Sequence, residues 1–109
     1  MSTATCFEIA GQVVGYGEVW EDPDEGEAEL ARIVVDPALR GEGMGRRLVT
    51  LLAREARRLG YDNVWLRVAP DNAAALASYG AAGFTRATLE VEAAFNTGQP
   101  HAYAWMRAR

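Results

Sequence analysis

Residues 3–9 and 12–20 form two runs rich in Val, Phe, Tyr and Trp, and the Ala10-Gly11 pair separates them. Clusters of β-branched and aromatic residues joined by so short a turn predict a β-hairpin. The polar stretch 21–26 contains Pro and Gly and predicts a second turn, with the next strand over 27–35. Within that strand Leu30, Ile33 and Val35 break the alternation of period two, as a β-bulge does. From Met44 onward the apolar positions Leu48, Leu51, Leu52, Ala56 and Leu59 follow helical spacing, while Arg46, Arg47, Arg54, Arg57 and Arg58 fall elsewhere on the helix. Gly60 is placed to end this helix as its C′ residue.

Residues 63–68 (NVWLRV) read as a buried strand. Pro70-Asp71-Asn72 reads as a turn whose Asp71 or Asn72 can cap a short helix over 73–82. After Gly83-Phe84, residues 85–93 and 101–107 read as a final pair of strands joined by the loop FNTGQP. The predicted order is β-β-β-α-β-α-β-β, an α/β fold on a mixed, mostly antiparallel sheet. Its central strand, helix, strand unit joins two parallel strands, and the outer pairs are antiparallel hairpins. The 109 residues fit one domain, 1–109, with a single core.

Composition narrows the setting. Half the residues are hydrophobic, yet no segment approaches 18 uninterrupted apolar residues, so no membrane span is expected. The first ten residues have neither the basic flank nor the apolar run of a signal peptide. Cys6 is the single cysteine, which rules out an intrachain disulfide, suits a reducing cytoplasm, and reads as a small buried hydrophobe. The formal charge of −4 argues against general nucleic-acid affinity. The charge is uneven, however: six acidic residues lie within 21–29, and six of the eleven arginines within 40–58. The acidic run is either a solubilising turn or a feature that attracts cationic amines.

Gly41, Gly43 and Gly45 alternate at the start of the predicted helix, in the stretch DPALRGEGMGRRLV. The first N–H groups of a helix lack intrahelical partners and its dipole is positive there, which favours an anion, usually a phosphate. Glycines let such amides crowd around a pyrophosphate, with Arg40, Arg46 or Arg47 adding charge. A P-loop is excluded because the chain has no lysine, and a dinucleotide fingerprint fails at Arg46, where its last glycine would fall.

Here the chain resembles the GNAT-type acyl-CoA-dependent N-acetyltransferases. The resemblance rests on Val35-Asp36-Pro37 followed by Arg40-Gly41-Glu42-Gly43-Met44-Gly45, and on Asn72 followed seven residues later by Tyr79 and then by Gly83-Phe84. It covers roughly residues 15–107. It implies acetyl-CoA as cosubstrate, with Ile33, Val34 and Val35 along the pantetheine arm and Arg40, Gly41, Gly43, Met44, Gly45 and Arg46 at the phosphates. It also implies Asn72 on pantetheine where the two parallel strands splay, and an amine-bearing small molecule, protein or peptide as acceptor.

N-acetylation needs a neutral amine, hence a base, and the departing thiolate benefits from an acid. The resemblance makes Tyr79 the candidate acid, against a tyrosine that only packs beneath the arm. Glu29, eleven residues before Arg40, matches the base position of one branch of the family, against a solvated end of the acidic run. In another branch a glutamate lies five residues before the Asn; here that residue is Arg67. His101 is expected at the surface, and Trp20, Trp65 and Trp105 in the core. The family fold implies a strand and two helices ahead of the hairpin, part of the acceptor wall, for which no segment is expected before residue 3. Three readings follow: an open acceptor site, a site completed by a second subunit, or an acyl-CoA-binding domain without catalysis; apolar surface left uncovered without those helices predicts a homodimer.

Overall fold

The structure, a computed structural model, describes residues 2–39 and 43–108. The elements are β1 (Ser2–Ile9), β2 (Gln12–Asp22), β3 (Glu27–Val35), α1 (Met44–Arg58), β4 (Asn63–Val68), α2 (Ala73–Ala81), β5 (Phe84–Arg86), α3 (Leu89–Asn96) and β6 (Ala104–Ala108). The strands form one sheet in the order β1-β2-β3-β4-β6-β5. Only β3 and β4 pair in parallel, as expected for strands joined through α1; the other neighbours are antiparallel.

The Ala10-Gly11 turn has φ of 52° and 81°. Two positive values in a two-residue loop match the twist of the flanking strands, which holds β1 against β2 in a hairpin. The expected bulge in β3 is present: Tyr16 pairs with Val34 and Glu18 with Ala31, so Arg32 and Ile33 stand opposite the single residue Gly17. Arg32 takes a φ of 51° there.

Helix α1 ends as its sequence requires. Gly60 has a φ of 103°, its N–H donates to Arg57 C=O at 2.9 Å, and Tyr61 N–H donates to Ala56 C=O at 3.1 Å. These two bonds are a Schellman cap, and only glycine adopts that φ without strain. The buried face of α1 is Met44, Leu48, Val49, Leu52, Ala53 and Ala56. Leu51, expected on that face, is 37% exposed. The core joins this face to Val19, Ala28, Leu30, Val64, Leu66 and Met106 of the sheet. Close approach is possible because β2 has glycine where α1 crosses: a Cβ on Gly17 would lie 2.4 Å from Leu52 Cδ1.

Two further expectations of the fold are corrected here. Residues 85–93 are not one strand: β5 stops at Arg86, and α3 follows before β6 starts at Ala104. The alternation in LEVEAAF imitates a strand, but Thr88 Oγ1 accepts from Val91 N–H and caps a helix whose Glu92 is buried. Cys6 is exposed on β1 rather than buried.

Candidate active site

Among the three α-helices of the described residues, α1 begins differently. The N-cap of α2 is Asn72, whose Oδ1 accepts from Ala75 N–H at 3.1 Å, and that of α3 is Thr88. The N-cap of α1 is Gly43, in a left-handed conformation with φ 78°, and no side chain caps it. Its first turn contains Arg46 and no acidic residue, against the usual preference for carboxylates at that end. A Cβ at Gly43 would project into open space, while one at Gly45 would touch Ser78 Oγ of α2 at 3.4 Å. Among the described residues the geometry is a helix terminus with no side-chain cap, cationic side chains and open space beside Gly43, which suits an anion. Arg40 and Gly41 lie outside the described residues.

The second feature is the splay of the parallel strands. Pairing runs from Glu27 opposite Asn63 to Leu30 opposite Leu66 and stops there. Beyond it β3 passes through the bulge and pairs only with β2, so the other edge of Ile33, Val34 and Val35 has no strand against it among the described residues. Parallel ladders leave evenly spaced N–H and C=O groups along such an edge, and these can bond an extended ligand.

A cleft of about 250 Å³ opens at the splay, lined by Trp20, Glu29, Ile33, Arg67 and Tyr79 among others. Alternation along the strands puts Leu30 and Leu66 on the face covered by α1 and α2, and Glu29 and Arg67 on the opposite face. Tyr79 belongs to α2 and packs against the core. The cleft therefore passes between β3 and β4, and it brings the two catalytic candidates, from opposite faces of the sheet, to one cavity.

Burial pushes the Tyr79 phenol above its ordinary pKa, because an apolar surrounding disfavours phenolate. The hydroxyl therefore keeps its proton at neutral pH. Glu29 is held by Arg67, whose Nε and Nη2 donate to the two carboxylate oxygens at 2.7 and 2.9 Å. That forked bond raises the Arg67 pKa, outweighing its desolvation. The guanidinium also lies 4.7 Å from the Trp105 ring centroid and donates to Gln99 Oε1 at 3.2 Å. Each Glu29 oxygen retains acceptor capacity after one bond from Arg67.

In the sequence Arg67 stands only as a departure from a family position, and Trp20 is expected in the core. Arg67 is instead the partner of Glu29, and Trp20 is 36% exposed at the cleft. Trp105 is buried as expected, and Trp65 is half-buried with an Nε1–H that has no partner among the described residues. The signal for the Glu29 neighbourhood was the strand register: Glu29 pairs with Trp20 on one side and Trp65 on the other, and Arg67 follows Trp65 on the same face. Asn72 spends its carbonyl oxygen on the cap of α2, which settles the choice between Asp71 and Asn72. His101 is exposed ahead of β6.

Known proteins resemble this chain in sequence and in fold. An alanine N-acetyltransferase of a ribosomal protein from Escherichia coli is 43% identical over 63 residues, which is 58% of this chain and 43% of that enzyme. A mycothiol acetyltransferase of Geodermatophilus obscurus is 36% identical over 89 residues, 79% of this chain and 25% of that enzyme. The chain thus spans less than half the length of these relatives. The crystal structure of the ribosomal-protein-alanine N-acetyltransferase from Escherichia coli superposes with a TM-score of 0.72 and 25% identity, covering 98% of this chain and 66% of the other. The profile of the acetyltransferase (GNAT) family matches residues 2–84, a span that contains the uncapped α1 terminus, the splay, Asn72 and Tyr79. The chain belongs to the GNAT acetyltransferase family.

Proposed function

We propose that this chain is a single acetyl-CoA-binding unit that transfers acetyl to an amine by direct attack. The observation that carries the reading is the cleft at the splay, where Tyr79 and Glu29 meet beside the free edge of Ile33 to Val35. Acetyl-CoA supplies the activated acetyl group as a thioester. The pyrophosphate is bound by the α1 terminus through Gly43, Met44, Gly45 and Arg46, together with Arg40 and Gly41. The pantetheine arm lies along Ile33, Val34 and Val35 and takes a bond from the Asn72 amide. Glu29, kept in place by Arg67, accepts a proton from the incoming ammonium directly or through water, and Tyr79 gives a proton to the departing sulfur. The relatives named for acetylation of an alanine residue and of mycothiol support an amine as acceptor.

Ile9, Val13 and Val34 are exposed apolar residues near one end of the β1-β2-β3 half of the sheet. Such surface favours a homodimer. The lone free cysteine fits the cytoplasm, and no described helix is long and apolar enough to cross a membrane.

Calorimetry with CoA tests the donor site. Gly43→Glu places a side chain at a left-handed position and a carboxylate at the α1 terminus, and it should abolish CoA binding. Unchanged affinity would remove the loop and helix terminus from the site. The rival reading, an acyl-CoA-binding domain without catalysis, predicts wild-type CoA binding with no turnover of any amine.

A further inference from the structure

The bulge of β3 holds an arginine at a backbone conformation that favours glycine. Arg32 has a φ of 51° and stands with Ile33 opposite the single residue Gly17. Strain of this kind persists only where the surroundings over-determine it. The bulge also sets the faces of the strand. Leu30 before it, and Ile33 and Val35 after it, all pack against the core, which an unbroken alternation could not achieve.

What holds Arg32 is a chain of side chains on β2. The Arg32 guanidinium lies 5.8 Å from the Trp20 ring centroid, within the range of a cation–π contact. The indole is itself fixed, because its Nε1–H donates to Glu18 Oε1 at 2.7 Å. The other Glu18 oxygen accepts from the Tyr16 hydroxyl at 2.6 Å. Tyr16, Glu18 and Trp20 are alternate residues of one strand and share a face. Tyr16 is opposite Val34 and Glu18 opposite Ala31, so the bond between them spans the bulge. The Glu18 carboxyl is held below its usual range, first by the Trp20 bond and then by that from Tyr16, with the Arg32 charge adding to both. A charged acceptor strengthens both bonds. The lining of the cleft includes Trp20 and Arg32 but neither Glu18 nor Tyr16.

Resting on the acetyl-transfer reading above, we propose that Tyr16, Glu18, Trp20 and Arg32 are positioning residues for the acyl donor. Together they brace the bulge of β3 and so set which backbone groups of Ile33, Val34 and Val35 meet the pantetheine arm. The parallel ladder ends at Leu30 opposite Leu66, immediately before the bulge. Past that point the bulge, and not a second neighbouring strand, turns the free edge toward the cleft. A shift of the bulge by one residue would put Val34 on the core face in place of Ile33 and Val35. It would also exchange the N–H and C=O groups that face the free edge for those that face β2.

Binding tests the brace without need of an acceptor. Calorimetry compares CoA with adenosine 3′-phosphate 5′-diphosphate, which keeps the phosphates and lacks the arm. Glu18→Ala should weaken CoA binding by about tenfold and leave the armless nucleotide within about twofold of wild type. Glycine takes the left-handed φ without strain, so adding Arg32→Gly to Glu18→Ala should restore most of the lost CoA affinity. Tyr16→Phe removes one of the two bonds to Glu18 and should cost about threefold in CoA affinity, a measurement that stands even if Glu18→Ala melts below the wild-type range. Equal losses for the two ligands, or a double variant no better than Glu18→Ala, would overturn the proposal. Failure of CoA to bind the wild-type chain would overturn the acetyl-transfer reading instead.

Discussion

Asn72 serves α2 through its Oδ1, and its side-chain N–H groups remain for the proposed bond to the pantetheine arm. Asn72→Ala removes both functions and should lower stability by about 1 kcal/mol. Asn72→Asp keeps the cap acceptor, so its melting temperature should match the wild type while CoA affinity falls about tenfold. Affinity that tracks the melting temperature across both variants would leave Asn72 as a cap and nothing more. Tyr79 can be tested on the same scale, because burial holds its phenol protonated beyond the usual range near pH 10. In the proposed role Tyr79→Phe should lower kcat on an accepted amine by about 100-fold with little change in CoA binding. Retention of full kcat would reduce the residue to packing. Wild-type activity should not decline until pH exceeds the ordinary tyrosine pKa, since a raised value moves the loss of the acid form upward.

Helix α3 shows why part of the fold was hidden in the sequence. Its alternating residues carry a strand's period, and what decides for a helix is tertiary: Glu92 is buried, pairs with Arg86 of β5, and accepts Trp105 N–H of β6 at 3.0 Å. A single sequence does not display those partners, whereas the hairpin, β3 with its bulge, α1, β4 and α2 each rest on local signals and were legible. The site divides in the same way. The glycine terminus and Tyr79 stand in motifs, but Arg67 reaches Glu29 across 38 positions of chain, and that contact comes from pairing register. The Glu92 contact yields a pH test. Its pKa is depressed mainly by the hydrogen bond from Arg86, with the Trp105 amide adding to it against burial. A depressed carboxylate stabilises the fold above its unfolded pKa, near 4.3, and that contribution is lost as pH falls through the folded value. Glu92→Gln should therefore be less stable than wild type by about 1 kcal/mol in urea at pH 7, with the gap closing as pH falls below the ordinary glutamate range and through the depressed folded value. A gap of equal size at neutral and acid pH would assign the loss to packing rather than charge.

Across the whole molecule, opposite charges are gathered at different places: arginines within 40–58 around α1, carboxylates within 21–29 along β2, β3 and the turn between them. The chain measures 42 × 30 × 25 Å, several times the screening distance of roughly 8 Å at physiological salt. A ligand at one region is therefore governed by local charge more than by the net value. This gives a test of sign. With a formal charge of −4, a protein acting as one diffuse anion would repel CoA, and added salt would screen the repulsion and raise affinity. If the α1 terminus and its arginines hold the phosphates, added salt must lower affinity instead. Between about 20 and 500 mM NaCl the CoA dissociation constant should rise severalfold. A CoA affinity that strengthens with salt would place the anion away from α1.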